Sequence, residues 1–177
     1  MPDHQPQILI IMGVSGAGKT TLGTALAKTL GAELIDADDF HPAANIEKMQ
    51  QGLALNDQDR EPWLRAIDQY CQQRLSLLSA QTTTGAGGKI IVACSALKQR
   101  YRQQLPQPHQ LIYLQIDIDT ATQRVRDRES HFMPAALVTS QFEDLEPPTD
   151  AIIINADRSQ DECLADILSQ LTSRSSV

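Results

Sequence analysis

Residues 13–20 read GVSGAGKT, which matches the pattern G-x-x-x-x-G-K-[ST]. An apolar run at residues 8–12 precedes this stretch, and a helical pattern at residues 21–30 follows it. Strand, glycine-rich turn and helix in this order form a phosphate-binding loop, because the N–H groups of the turn and the helix N-terminus face the same anion. Lys19 is expected to neutralise the β- and γ-phosphates of a nucleotide, and Thr20 to offer its hydroxyl to Mg²⁺. The predicted nucleotide-binding residues are Gly13, Val14, Ser15, Gly16, Ala17, Gly18, Lys19, Thr20 and Thr21.

The chain has 177 residues and a formal net charge of −7, and we expect a single domain over residues 1–177. The acidic balance argues against a nucleic-acid-binding surface, which usually has a basic face. No apolar run approaches the roughly 20 residues that cross a bilayer, and the N-terminal MPDHQPQ lacks signal-peptide features. Cys71, Cys94 and Cys163 show neither disulfide nor metal spacing, which indicates core thiols in a reducing cytosol. We therefore expect a cytoplasmic protein without a nucleic-acid or membrane partner.

Short apolar segments separated by helical patterns predict the fold class. This alternation is typical of an α/β protein in which helices cover both faces of a parallel sheet, giving three layers. Asp57 or Asp59 is expected to cap the long third helix. The last helical pattern covers residues 161–171, and the tail at residues 172–177 is expected to be frayed. The predicted strands are residues 8–12, 33–35, 90–93, 111–116 and 151–154.

Two aspartates follow the second predicted strand. Ligands of an open parallel sheet bind beyond the carboxyl ends of the strands, so Asp36 and Asp38 are expected beside the phosphate loop. Alternate residues of an extended segment face the same way, which would point both carboxylates at one site. Phosphoryl transfer to a hydroxyl needs a carboxylate to accept the proton, and often another for hydrated Mg²⁺. We predict Asp38 as the base and Asp36 as the metal's partner through water. The alternative for either acid is a helix cap or a solvated loop residue.

Residues that can carry positive charge follow the two acids. His41, Lys48 and Arg60 together would suit a polar, anionic acceptor, whereas each taken singly is more typical of a surface residue or a salt-bridge partner. Ser95 and Lys98 end the third predicted strand and are expected at the same edge of the sheet. A helix start explains Ser95 equally well.

Two arginines after the fourth strand have the spacing of one helical face. Arg124 and Arg128 lie four apart, so both could close over a nucleotide, stabilise the charge of the transition state and exclude water. Asp127 and Glu129 offer the alternative of ordinary pairing on a helix surface. The stretch SHFMP at residues 130–134 has no core pattern, which favours a lid in this region.

Taken together, these motifs resemble the small bacterial type of gluconate kinase. The resemblance rests on residues 13–20, on DADDFHPAANIEKM at 36–49, LNDQDREPW at 55–63, CSALKQRYR at 94–102 and HFMPAALVTSQFEDLEPP at 131–148. It implies a P-loop kinase fold with a mainly five-stranded parallel sheet and a mobile helical lid at about residues 124–148. It also implies a cytoplasmic homodimer that uses ATP and Mg²⁺ to phosphorylate the 6-hydroxyl of D-gluconate. The product, 6-phosphogluconate, would feed the pentose phosphate or Entner–Doudoroff routes.

The resemblance also implies a role for each matching residue. The implied catalytic residues are Asp38, Lys19, Arg124 and Arg128, the substrate-binding residues are Asp38, His41, Lys48, Arg60, Ser95 and Lys98, and the metal-binding residues are Thr20 and Asp36. The sequence does not decide which cation binds the carboxylate of the acceptor. The candidates are His41, Lys48, Arg60 and Lys98. Adenine contacts are expected near residues 155–158 by analogy with the fold. One departure is DADD where many members have DGD, and Ala37 could displace Asp38 slightly.

Two other kinds of protein share parts of the pattern. Shikimate kinase and adenylylsulfate kinase are metabolite kinases of the same fold, but the glycine run usual after the third strand of shikimate kinase is replaced by CSALK. A nucleotide-dependent switch is the alternative of another class. The sequence contains neither the NKxD motif typical of GTPases nor the LSGGQ motif of ATP-dependent transport subunits. Acceptor-dependent consumption of ATP would distinguish a kinase from a switch.

Overall fold

The computed structural model describes residues 7–81, 88–127 and 136–174. Its strands are β1 (Gln7–Met12), β2 (Glu33–Asp36), β3 (Lys89–Ala93), β4 (His109–Gln115) and β5 (Ile152–Asn155). Its helices are α1 (Lys19–Leu30), α2 (Ala43–Gln50), α3 (Asp57–Gln81), α4 (Gln99–Arg102), α5 (Ile118–Arg126), α6 (Ala136–Asp144) and α7 (Gln160–Arg174), and a 3₁₀ turn covers Ala37–Phe40. Within these residues no helix combines the length and apolar character needed to span a membrane.

The strands form one parallel sheet in the order β2-β3-β1-β4-β5. The central strand β1 pairs through Ile10 with Val92 of β3 and with Leu111 of β4. This arrangement confirms the predicted α/β fold with a five-stranded parallel sheet, and each strand end lies within two residues of its prediction. Because β1 lies between β3 and β4, the phosphate loop that follows it emerges at the middle of the sheet edge.

Two apolar clusters lie on opposite faces of the sheet. Side chains of a strand alternate between the faces, so a central strand buried on both sides is apolar throughout, as ILIIM is at residues 8–12. One cluster joins Leu9 and Ile11 to α1 and α7 through Leu22, Leu26, Cys163 and Ile167, and the other joins Ile8 and Ile10 to α3 through Trp63, Leu64, Ile67 and Cys71. Cys71, Cys94 and Cys163 are buried free thiols. Burial raises the pKa of Cys71 and of Cys94 to about 12, so both stay protonated at neutral pH.

Two helix ends differ from the prediction. The cap of α3 is Asn56, not Asp57 or Asp59. Asn56 Oδ1 accepts a hydrogen bond from the N–H of Asp59 at 2.9 Å, and Asp59 Oδ2 accepts one from the N–H of Asn56 at 3.0 Å. This reciprocal capping box satisfies two backbone donors at once. α7 continues to Arg174, whose side chain donates a hydrogen bond of 3.1 Å to the backbone before β5, so the first half of the tail expected to fray is helical.

Candidate active site

The phosphate loop, residues 13–20, connects the central strand to the start of α1. Gly16 has a φ of +86°, and a Cβ at this position would lie 2.5 Å from the carbonyl oxygen of Ala121 on α5. Glycine is therefore required here both for its backbone conformation and for the close approach of α5. Lys19 Nζ donates a hydrogen bond to the carbonyl oxygen of Val14 at 3.0 Å, which holds the ammonium against the loop. Backbone donors, a helix N-terminus and a lysine are thus assembled at one point.

Thr20 and Asp36 connect the start of α1 to the end of β2. The Thr20 hydroxyl donates to Asp36 Oδ2 at 2.8 Å, and Asp36 Oδ1 accepts the N–H of Asp38 at 3.1 Å. Asp36 therefore caps the 3₁₀ turn, as its alternative reading allowed, and also contacts the predicted magnesium ligand. The expectation that Asp36 and Asp38 are alternate residues of an extended segment is wrong, because the chain turns directly after β2. Asp38 reaches the site from the turn instead.

Trp63 of α3 holds this turn from the core side. Its indole N–H donates to the carbonyl oxygen of Ala37 at 2.6 Å, and Ala37 is completely buried. The alanine of DADD therefore packs into the core. Ala37 is the residue that stands where many members have glycine. Because the Trp63 bond fixes the backbone at Ala37, it also anchors the turn that carries the neighbouring Asp38.

Residues from separate parts of the chain line one pocket beside the phosphate loop, here named the central pocket. Its polar lining consists of Ser15, Lys19, Asp38, His41, Arg60, Ser95, Ser140 and Gln141, and its apolar lining of Met49, Ala54, Leu55, Trp63 and Leu137. The structure thus brings together Lys19, Asp38, His41, Arg60 and Ser95 from the predicted site.

Two predicted cations lie outside the lining of the central pocket. Lys48 Nζ is 2.6 Å from Asp59 Oδ1, and Lys98 Nζ is 2.8 Å from Asp144 Oδ1. The hydrogen bond with Asp144 raises the pKa of Lys98, and the hydrogen bond from Lys48 lowers the pKa of Asp59. Both lysines therefore form salt bridges with a carboxylate, which is the alternative that the sequence left open.

His41 is uncharged in the central pocket at neutral pH. Its side chain is 6% exposed, and burial, followed by the nearby charge of Arg60, lowers its pKa to about 4. Asn45 Nδ2 donates to the carbonyl oxygen of Asp59 at 2.8 Å and lies 3.4 Å from His41 Nδ1, so Nδ1 is the acceptor and Nε2 carries the proton. His41 remains a candidate to donate a hydrogen bond to the molecule that is phosphorylated. Because it is neutral, it does not supply a positive charge for the carboxylate of that molecule.

Arg60, which was predicted to bind the phosphoryl acceptor, does line the central pocket. Its guanidinium lies 5.1 Å from the ring centroid of Tyr101, and Nη1 donates to the Tyr101 hydroxyl oxygen at 3.0 Å. Nη2 lies 3.4 Å from one carboxylate oxygen of Asp144, whose other oxygen binds Lys98. Asp144 of α6 therefore bridges two of the predicted cations. The sequence analysis did not assign a role to Tyr101 or Asp144. Both lie inside motif blocks that carry the family resemblance, at residues 94–102 and 131–148, and this position could have identified them.

Ser95 is presented by a strained loop after β3. The neighbouring Ala96 has a φ of +42°, in the left-handed region that residues with a side chain rarely adopt. Arg102, only 8% exposed, donates through Nη1 to the carbonyl oxygens of Ala96 at 3.1 Å and Leu97 at 2.9 Å. The backbone N–H of Glu146 donates to the same Leu97 oxygen at 2.9 Å. These bonds hold the loop in place, and they give Arg102 a role that sequence reasoning did not assign.

The described part of the predicted lid contacts the phosphate loop. Gln141 of α6 accepts the N–H of Ser15 through Oε1 at 2.7 Å. Arg124 of α5 lies 3.4 Å from the carbonyl oxygen of Gly16, through Nη1. Arg128 and the stretch SHFMP lie outside the described residues, so the pairing of Arg124 with Arg128 stays a prediction.

A second pocket, here named the outer pocket, also adjoins the phosphate loop. It is lined by Gly16, Ala17, Gly18, Thr21, Leu22, Arg124, Ala156, Arg158, Gln160 and Cys163. Two of these residues fall in the segment 155–158 that was predicted to contact adenine. A nucleotide with its phosphates on the loop could extend its base into the outer pocket, and the adenine contacts stay a prediction.

The residues predicted to hold Mg²⁺ form a small set of oxygen ligands. In the described ranges, no group of three or more His, Cys, Asp or Glu side chains could hold a metal ion by itself. Mg²⁺ in phosphoryl-transfer enzymes usually binds through one or two protein oxygens, with phosphates and waters completing its shell. The hydroxyl of Thr20 and the carboxylate of Asp36, 2.8 Å apart beside the phosphate loop, fit this requirement.

A phosphate loop at the centre of a parallel sheet, with a carboxylate and an arginine in the adjoining pocket, defines a P-loop kinase of small molecules. A sequence model of the shikimate kinase family matches residues 15–172. The chain is 44% identical to the thermosensitive gluconokinase of Escherichia coli over 142 residues, which cover 78% of this chain and 71% of that relative. A solved gluconokinase from Sinorhizobium meliloti is 31% identical, with a TM-score of 0.77 over 97% of this chain and 94% of the other. The chain belongs to the gluconokinases, within the wider family of the shikimate kinase model.

The likeness to a solved shikimate kinase is one of fold. A solved shikimate kinase from Aquifex aeolicus is 12% identical, with a TM-score of 0.59 over 95% of this chain and 98% of the other. The family assignment therefore confirms the resemblance drawn from the motif blocks, and the shikimate kinase alternative has less support.

Proposed function

We propose that the chain is an ATP-dependent kinase that transfers the γ-phosphoryl group of ATP to the 6-hydroxyl of D-gluconate. The observation that carries this proposal is the central pocket, which joins Lys19 of the phosphate loop to Asp38 and Arg60 in one cavity. A γ-phosphate bound by the loop would share this cavity with a carboxylate base and with a cation for an anionic acceptor. The gluconokinases at 44% and 31% identity support gluconate as that acceptor.

The proposed reaction is an in-line displacement at the γ-phosphorus. O6 of gluconate forms a bond to this phosphorus, the bond to the oxygen that bridges the β- and γ-phosphates breaks, and ADP leaves. Asp38 accepts the proton of the hydroxyl. Lys19 and the loop N–H groups bind the phosphate oxygens, and Arg124, which already contacts the loop at Gly16, adds positive charge as the transition state forms. Catalysis by these residues rests on positioning and electrostatics.

Arg60 is proposed to bind the carboxylate of gluconate. A guanidinium matches the two oxygens of a carboxylate through parallel N–H donors, which a lysine cannot do. Tyr101 supports the guanidinium from one side, and Asp144 contacts it from α6. Ser95 and His41 line the same pocket and are proposed to contact the hydroxyl groups.

Thr20 and Asp36 are proposed to hold Mg²⁺, the aspartate through water. The ion would neutralise part of the phosphate charge when it is bound with ATP. The Thr20–Asp36 contact supports this assignment, because it places both oxygens beside the phosphate loop.

The proposed function is tested by measuring ADP release from MgATP with and without D-gluconate. We expect rapid release only with gluconate, formation of 6-phosphogluconate detected by ³¹P NMR, and loss of turnover in Lys19→Ala. Equal slow release with and without gluconate would instead favour the nucleotide-dependent switch.

The homodimer and the cytoplasmic location that the resemblance implies stay predictions. Light scattering of the purified protein tests the first of them. A mass near twice the 19.5 kDa of one chain is expected, and a mass of one chain would contradict it.

A further inference from the structure

Gln141 of α6 contacts the backbone of the phosphate loop. Its Oε1 accepts the N–H of Ser15 at 2.7 Å, across 126 positions of sequence. Ser15 is 8% exposed, and the hydrogen bond is partly buried. Backbone N–H groups of a phosphate loop are the donors that bind phosphate oxygens. A nucleotide phosphate bound at the Ser15 N–H would therefore have to displace the Gln141 carboxamide from this donor.

The same helix contacts Arg60 and Lys98, two cations that were predicted to bind the phosphoryl acceptor. Asp144 follows Gln141 by three residues, on the same face of α6. It lies 3.4 Å from Arg60 and 2.8 Å from Lys98. Gln141 also lines the central pocket together with Asp38. Two side chains one helical turn apart thus connect α6 to the nucleotide side and to the acceptor side of the site.

We propose that Gln141 contacts the acceptor and couples acceptor binding to nucleotide binding. This inference rests on the proposed function and adds how the two substrates influence one another. Without nucleotide, an acceptor that recruits the Gln141 carboxamide must first break its hydrogen bond to Ser15. With nucleotide, a phosphate oxygen has already replaced Gln141 at the Ser15 N–H. The acceptor then binds more tightly, and by thermodynamic linkage it tightens nucleotide binding by the same factor.

The size of this coupling follows from the free energy of the hydrogen bond between the Ser15 N–H and Gln141 Oε1. One neutral hydrogen bond corresponds to a change in affinity of about three- to tenfold. An effect of this size is readily measured by titration calorimetry.

The test compares the Kd for D-gluconate with and without a non-hydrolysable ATP analogue and Mg²⁺. The variants are Gln141→Ala and Gln141→Met, with Thr139→Ala as a matched control on the exposed face of α6. Methionine keeps the length and packing of the side chain and removes the amide, so it remains informative if the alanine variant folds poorly. Melting temperatures of all variants without ligand are measured in parallel.

We expect the analogue to tighten gluconate binding by about three- to tenfold in the wild type and in Thr139→Ala. In the two Gln141 variants, the ratio of the Kd for gluconate without the analogue to that with it should be near one. These variants should bind the analogue at least as tightly as the wild type does, because the Gln141 carboxamide no longer competes for the Ser15 N–H. An unchanged ratio in Gln141→Met would overturn the inference, as would a ratio of one in the wild type. Weaker analogue binding by Gln141→Met would also overturn it, because Gln141 would then be a nucleotide ligand. Failure of the wild type to bind gluconate in either condition would overturn the proposed function itself.

Discussion

The hydroxyl of Thr20 donates a hydrogen bond of 2.8 Å to Asp36 Oδ2. Thr20 lies in the first turn of α1, which follows β1, and Asp36 ends β2. Since β3 separates β1 from β2 in the sheet, this contact reaches across the end of a strand. It joins the phosphate loop to the turn that carries Asp38, so the residues proposed for the metal and for the base form one connected group.

Replacing Asp36 by asparagine should weaken the use of Mg²⁺. Asparagine keeps an oxygen that can accept the Thr20 hydroxyl, but it removes the negative charge that would hold a hydrated cation. We expect the free Mg²⁺ concentration for half-maximal rate to rise by about 10- to 100-fold, the usual effect of losing an outer-shell ligand. Initial rates over a Mg²⁺ titration measure this, with Asp39→Asn, an exposed carboxylate on the same turn, as the control. An unchanged Mg²⁺ dependence would remove Asp36 from the metal site.

Asp38→Asn should separate catalysis from nucleotide binding. The variant keeps the size of the side chain but cannot accept the proton of the acceptor hydroxyl. We expect kcat to fall by about 10²- to 10⁴-fold, the range for loss of a general base, while the Kd of an ATP analogue changes little. Rapid-quench kinetics and calorimetry give the two values, and Asp39→Asn is again the control. A variant with wild-type kcat would place the base on another residue.

His41 should make the folded state sensitive to acid. An unfolded histidine titrates near pH 6.5, whereas burial keeps folded His41 neutral until about pH 4. Between these values the unfolded state binds a proton that the folded state does not. The free energy of unfolding should therefore fall as pH decreases from 6.5 to 4, by up to about 3 kcal/mol from this residue.

Urea unfolding at several pH values measures the contribution of His41. The decrease over this pH range should be smaller in His41→Gln than in the wild type, and His109→Gln, at the start of β4, serves as the control. Parallel pH profiles for the wild type and His41→Gln would contradict the account of a buried neutral histidine.

Arg60→Met should impair the binding of gluconate more than that of ATP. The loss of a charged hydrogen-bond donor to the acceptor carboxylate predicts a KM for gluconate raised by about 10- to 100-fold. Arg100→Met is the matched control, because Arg100 also lies over the Tyr101 ring, at 5.5 Å, but pairs with Asp57 and is exposed. Equal effects of the two substitutions would mean that the arginines support Tyr101, not the carboxylate of the acceptor.

The fold could be predicted because its signals are local. Each strand contains a short apolar run with at least one buried residue, and the phosphate loop is contiguous in sequence. The rule that ligands gather at the carboxyl ends of parallel strands then placed Asp38 and Ser95 near Lys19. The 3₁₀ turn after β2 was not predicted, although its cap Asp36 is local, because a capping aspartate and an aspartate in an extended segment look the same in sequence. The bond from Trp63 to Ala37, which also holds this turn, comes from the packed core.

The contacts of α6 could not be predicted for a similar reason. The bonds of Gln141 to Ser15 and of Asp144 to Arg60 and Lys98 depend on where this helix packs, and its sequence pattern shows only that it is a helix. The neutrality of His41 likewise follows from its burial in the pocket, which its position in the chain does not reveal.

The central claim is that this pocket selects a sugar acid as the phosphoryl acceptor, and kcat/KM for a panel of acceptors tests it most directly. The panel contains D-gluconate, D-glucose, shikimate, adenylylsulfate and glycerate, with MgATP and a control without acceptor. The account predicts turnover with D-gluconate, and at least about 100-fold lower kcat/KM for D-glucose, which has no carboxylate to pair with Arg60. A preference for shikimate or adenylylsulfate, or the same slow rate with every acceptor and with water, would contradict it.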